Sequence, residues 1–74
     1  MTHDAIDRDF YEGKRSESFP FCINDSVAIR RGPGIGKGAA VVSIASYANP
    51  VEYLVEPGDG SGDLVVPVTD LEAI

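Results

Sequence analysis

The sequence predicts one small all-β domain, an antiparallel barrel of four or five short strands preceded by a flexible arm. Three observations lead there. Residues alternate between two faces in two separate runs, 26–30 and 51–56, the period-2 signature of half-buried strands. Loops rich in glycine and proline separate these runs at short intervals. The chain has 74 residues, and a helix-poor chain of that size has no room for the long crossovers that parallel strands need.

Residues 1–18 form the arm. It is polar and charged, with Ala5, Ile6, Phe10 and Tyr11 scattered through it. Ile6 and Phe10 lie four apart and can share a helix face, but one such pair does not overcome the cost of nucleating a helix. Gly13 and the run Lys14-Arg15-Ser16-Glu17-Ser18 read as a flexible linker. The arm is therefore expected to be disordered or weakly helical, with the barrel spanning residues 19–74.

Asn24-Asp25 is turn chemistry. Residues 26–30 then alternate, with Val27 and Ile29 on one face. Residues 32–38 hold four glycines and must be a loop. Residues 39–45 are read as a second strand with Ala40, Val42 and Ile44 on one face. Helix is the alternative, and the paired valines favour strand. Residues 47–50, Tyr-Ala-Asn-Pro, turn the chain.

In residues 51–56, Val51, Tyr53 and Val55 point one way and Glu52, Leu54 and Glu56 the other. Residues 57–62 are a second loop. Residues 63–68 are a fourth strand with Leu64, Val66 and Val68 inward, and Pro67 marks an edge or strand end. Residues 69–72 read as one helical turn, and Ala73-Ile74 as a last short strand. The expected core is Val27, Ile29, Val42, Ile44, Val55, Val66 and Leu71.

Residues 24–33, Asn-Asp-Ser-Val-Ala-Ile-Arg-Arg-Gly-Pro, resemble the opening of a KOW motif, and residues 39–44 resemble its following strand. Residues 64–68 and Asp70-Leu71-Glu72 are like the last strands of such barrels. A second SH3-like group fits as well: the small accessory subunits of redox complexes, such as photosystem I subunit IV and the variable chain of ferredoxin–thioredoxin reductase. There, residues 49–56 resemble the third strand. Both resemblances cover residues 21–74 and imply an SH3-like barrel. They imply less about function, because the shared residues are mostly glycines and core aliphatics.

Composition limits the chemistry. One cysteine, Cys22, allows no internal disulfide, and one histidine, His3, allows no Cys/His zinc site. No apolar run approaches the length of a membrane span, and no signal-peptide pattern opens the chain. A cytoplasmic protein is the expectation.

The net charge is −6. Residues 47–74 carry six acids and no base, whereas residues 21–46 set Asp25 against Arg30, Arg31 and Lys37. That balance disfavours non-specific binding to phosphate backbones and anionic lipid.

Candidate motifs fail on context. Residues 34–39 read G-x-G-x-x-A, but the run after Gly38 is a strand rather than the helix a dinucleotide site requires. Lys37 is followed by glycine, which excludes a P-loop. Residues 59–63 begin like a calcium loop, yet Leu64 stands where glycine is required. Cys22, between Phe21 and Ile23, reads as a small core residue. Without a histidine in the folded part, neither Cys22 nor any serine has a base to activate it. Glu52 and Glu56 share a strand face roughly 13 Å apart, wide for a hydrolytic pair. No catalytic, metal or cofactor site is expected.

The expected function is therefore that of a non-enzymatic accessory or adaptor domain binding another protein. The alternative is a KOW-like module binding nucleic acid or a ribonucleoprotein through the 30–38 loop. The residues singled out for partner binding are Arg30, Arg31, Ile35, Lys37 and Tyr47, the last as a stacking ring. Phe19 and Phe21 either close the barrel bottom or form an apolar patch.

Overall fold

A computed structural model describes residues 4–74. The order of elements is helix α1 (Asp4–Glu12), strands β1 (Ser26–Ile29), β2 (Gly38–Ser46), β3 (Glu52–Pro57) and β4 (Leu64–Pro67), a 3-10 turn (Val68–Asp70), and strand β5 (Leu71–Ala73). All strand pairs are antiparallel, in one sheet ordered β4-β3-β2-β1-β5. The sheet is open, with β4 and β5 as its two edges, and the 3-10 turn carries the chain from one edge to the other. Two backbone bonds fix this passage: Val68 N–H donates to Val51 O (2.8 Å) and Arg30 N–H to Asp70 O (2.8 Å). The fold is thus a small antiparallel β domain of the kind the alternation implied. Pro67 does stand on an edge strand, where its missing N–H removes no ladder bond.

The core differs from expectation in β2. Val42 and Ile44 were expected to face inward together. Instead Val41 is fully buried, and Val42 and Ile44 are half-buried. The register explains the change. Val41 pairs with Val55, and Ser43 with Leu54, so Val42 is an extra residue opposite the 54–55 step. A bulge of this kind shifts the side-chain phase by one. Val41 before it and Ile44 after it therefore both lean on the core.

Tyr53 is fully buried at the centre. Its ring meets Phe21 edge-on (centroids 5.6 Å apart) and stacks against Phe10 (6.3 Å). Its hydroxyl accepts from the Phe21 N–H at 3.3 Å, which satisfies the polar tip. Burial pushes the Tyr53 phenol above its ordinary pKa.

The arm, expected to be disordered or weakly helical, carries a short helix packed on the sheet. Residues 1–3, with His3, lie outside the described residues. Residues 4–12 form α1, and Phe10 is 2% exposed within the core cluster. Gly13, read as linker, ends this helix. Its φ is 81°, Lys14 N–H donates to Asp9 O (2.8 Å), and Gly13 N–H to Phe10 O (3.4 Å). That is the Schellman arrangement, which requires the left-handed conformation that glycine adopts without strain. Asp4 and Asp7 lie in the first turn, where carboxylates favour the positive end of the helix dipole.

The segment leading into β1 is locked by Asp25. Its carboxylate accepts from Cys22 N–H (2.8 Å) and from Arg15 (2.6 Å), with Asn24 at φ 66° between them. Cys22 is buried and its thiol is raised above the usual pKa, chiefly by that burial. No helix among the described residues is long and apolar enough to cross a membrane.

Candidate functional site

The loop between β1 and β2 is an ordered structure. Its mouth is closed by Ile29 N–H to Lys37 O (2.9 Å) and Gly36 N–H to Ile29 O (2.8 Å). Inside it, Ile35 N–H donates to Gly32 O (3.1 Å) and Lys37 N–H to Gly34 O (3.0 Å). Such tight successive turns need positive φ, and Gly34 and Gly36 supply it at 84° and 88°. Between them stands Ile35, 65% exposed.

The three bases flank this apex, and two are matched by acids from the other half of the chain. Arg30 Nε donates to Glu72 Oε2 (3.0 Å), both side chains being exposed. Lys37 Nζ lies 3.1 Å from Asp59 Oδ2 and donates to Ser61 Oγ (3.0 Å). Asp59 also accepts from the Ser61 N–H at 2.9 Å. The Ser61 hydrogen bonds, aided by Lys37, hold the Asp59 carboxyl down to about 2. Arg31 is exposed, and no ion pair of its side chain is seen among the described residues. The basic surplus read in residues 21–46 is therefore offset in space by Asp59 and Glu72. Pairing the glycine loop with the acidic 57–62 loop is a tertiary event with no local sequence signal.

Of the five residues singled out from the sequence, Arg30, Arg31, Ile35 and Lys37 share this loop. Tyr47 does not join them. It follows β2 whereas Lys37 precedes it, and the strand between them spans roughly 25–30 Å. Tyr47 instead donates its hydroxyl to Asp7 Oδ1 of α1, a bond that raises the phenol to about 12. Its ring lies against Phe19, centroids 6.2 Å apart and tilted by 52°. Phe19 is half-buried and Phe21 buried, so the two split between a surface and a core role.

Among the described residues no group of three or more His, Cys, Asp and Glu side chains is placed to hold a metal ion. No family model, no curated protein and no solved structure matches the chain.

Proposed function

We propose that the chain is a non-enzymatic adaptor domain of the SH3-like barrel type that binds another protein through the 30–37 loop. One observation carries this reading: a branched aliphatic side chain, Ile35, is 65% exposed at the apex of a loop whose backbone is already fixed by four hydrogen bonds. Ordering a loop on binding costs free energy, and a preordered loop avoids most of that cost. An apolar side chain beside Arg30 and Arg31 suits a protein contact, whose buried centre is more apolar than its rim and where arginine is favoured over lysine and carboxylates. The 3-10 turn at Val68–Asp70, joining the two edge strands beside Asp70-Leu71-Glu72, supports the SH3-like assignment.

The nucleic-acid alternative is less favoured. A phosphate approaching Arg30 or Lys37 must compete with Glu72 and Asp59, which already lie within 3.1 Å of those cations. Tyr47, the stacking ring that reading invoked, lies at the far end of β2.

The test is paired substitution, Ile35→Ser with Arg31→Ser. Both side chains are exposed, so stability should change by no more than about 0.5 kcal/mol. A partner that co-purifies with the wild type should be lost from the double variant at unchanged melting temperature. Retention of that partner would refute the assignment. RNA binding that falls steeply with salt, and disappears when Arg30, Arg31 and Lys37 are all changed to Ser, would install the alternative.

A further inference from the structure

Beside Tyr47, just after β2, lies a groove of about 510 Å³ bordered by Glu17, Ser18, Phe19, Tyr47, Asn49, Val51 and Val68. We propose that this groove binds an arginine side chain from an extended segment of another protein. The site is separate from the 30–37 loop and does not depend on that loop's role.

The chemistry of the lining selects this occupant. Phe19 and Tyr47 put two tilted aromatic rings on one wall. Val51, buried, and Val68, half-buried, add apolar surface. A guanidinium is planar, weakly hydrated and stacks on such rings, so this setting favours arginine over lysine. Glu17 is exposed and is the one charged residue of the lining among the described residues, which give the groove an acid and no base.

Among the described residues, the cations nearest in sequence, Lys14 and Arg15, are engaged with other carboxylates. Lys14 lies 3.4 Å from Glu12, and Arg15 lies 2.6 Å from Asp25. The 47–74 half, which supplies four of the seven lining residues, contains six acids and no base. A cationic incoming segment is therefore attracted over long range and then finds a carboxylate beside aromatic faces. The segment's stem methylenes would cover Val51 and Val68, as arginine stems do on apolar surface.

The experiment uses the full chain and a capped hexa-arginine peptide, followed by backbone NMR. The same peptide with citrulline in place of arginine is the control, since citrulline keeps the shape and loses the charge. Saturable shifts should appear at Phe19, Asn49, Val51 and Val68, and should be absent with citrulline. Phe19→Leu keeps apolar volume and net charge, and should weaken binding about fivefold. Glu17→Gln, on an exposed side chain that the fold does not need, should weaken it about twofold to threefold.

Shifts spread along the acidic 52–72 stretch and indifferent to Phe19→Leu would reveal mere charge attraction and overturn the proposal. So would shifts at the groove that depend on protein concentration without peptide, which would make a second copy the occupant. Absence of any shift at the groove would overturn it as well.

Discussion

Phe10 of α1 stacks on Tyr53 of β3 with ring centroids 6.3 Å apart and planes 24° from parallel. They stand 43 positions apart in the chain, yet the contact joins the helix to the centre of the sheet. Phe10→Ala should therefore destabilise the whole domain by about 3–5 kcal/mol, the usual cost of emptying a buried aromatic position. A domain of this size has a total stability of roughly 4–11 kcal/mol, so the urea midpoint should fall sharply. An unchanged midpoint would mean that α1 is not part of the cooperative unit.

The β2 bulge gives a second test. Val41 and Val42 are neighbours of identical chemistry, one fully buried and one half-buried. Val41→Ala should cost about 1.5–3 kcal/mol through lost burial and a cavity. Val42→Ala should cost less than about 1 kcal/mol. Equal costs, measured by denaturant unfolding of the two variants, would contradict the register in which Val42 is the extra residue.

These two cases show what the sequence made legible. The alternation of Val27 with Ile29, and of Val51, Tyr53 and Val55, named core faces that the structure keeps, because a regular strand has period two and no freedom to drift. Residues 39–46 alternate less sharply, and nothing local announces that Val42 is extra. Gly13 was read as part of a linker, whereas in the structure it is the stop of α1. Which it is depends on whether Phe10 finds a pocket, and that pocket is built from Phe21 and Tyr53.

The loop was legible in its glycines, while the exposure of Ile35 is seen only in the structure. The neutralisation of Lys37 by Asp59 and of Arg30 by Glu72 was not legible, since each pair is made across the fold. Tyr47 was separated from the loop by strand length alone, which residue counting along β2 would have shown.

Gly34 and Gly36 both hold positive φ, and their surroundings differ. A Cβ at Gly34 would lie 2.8 Å from Leu64 Cδ1 and 3.2 Å from Ile29 Cδ1, whereas at Gly36 it meets nothing within 4 Å. Gly36→Ala should then cost only the left-handed backbone penalty, about 1–2 kcal/mol. Gly34→Ala should cost more, because Leu64 must swing away and Ile29 is fully buried. Thermal melts that place the two variants together would show that the loop does not pack on Leu64.

The Tyr47–Asp7 hydrogen bond makes the anchoring of α1 sensitive to alkali. The bond to the carboxylate, then burial, raise the Tyr47 phenol from its ordinary 10.0 to about 12. A group whose folded pKa is raised contributes stability that is complete below its unfolded pKa and is lost as pH rises through the folded one. The Tyr47 contribution should therefore be whole below pH 10.0 and withdrawn as pH climbs to about 12. Asp59 has the opposite sign. Its pKa is depressed from 3.8 to about 2, so its contribution is present above 3.8 and lost as pH falls through 2. The alkaline limb is the more informative, because Tyr47 touches α1 and Asp59 does not. Ring resonances of Tyr47 followed by NMR should titrate with a midpoint near 12 in the wild type, and Asp7→Ala should bring that midpoint down toward the ordinary value. Tyr47→Phe should remove the alkaline loss of stability due to this group while leaving the acid limb in place. A Tyr47 midpoint that Asp7→Ala leaves unmoved would show that the hydroxyl finds its partner elsewhere.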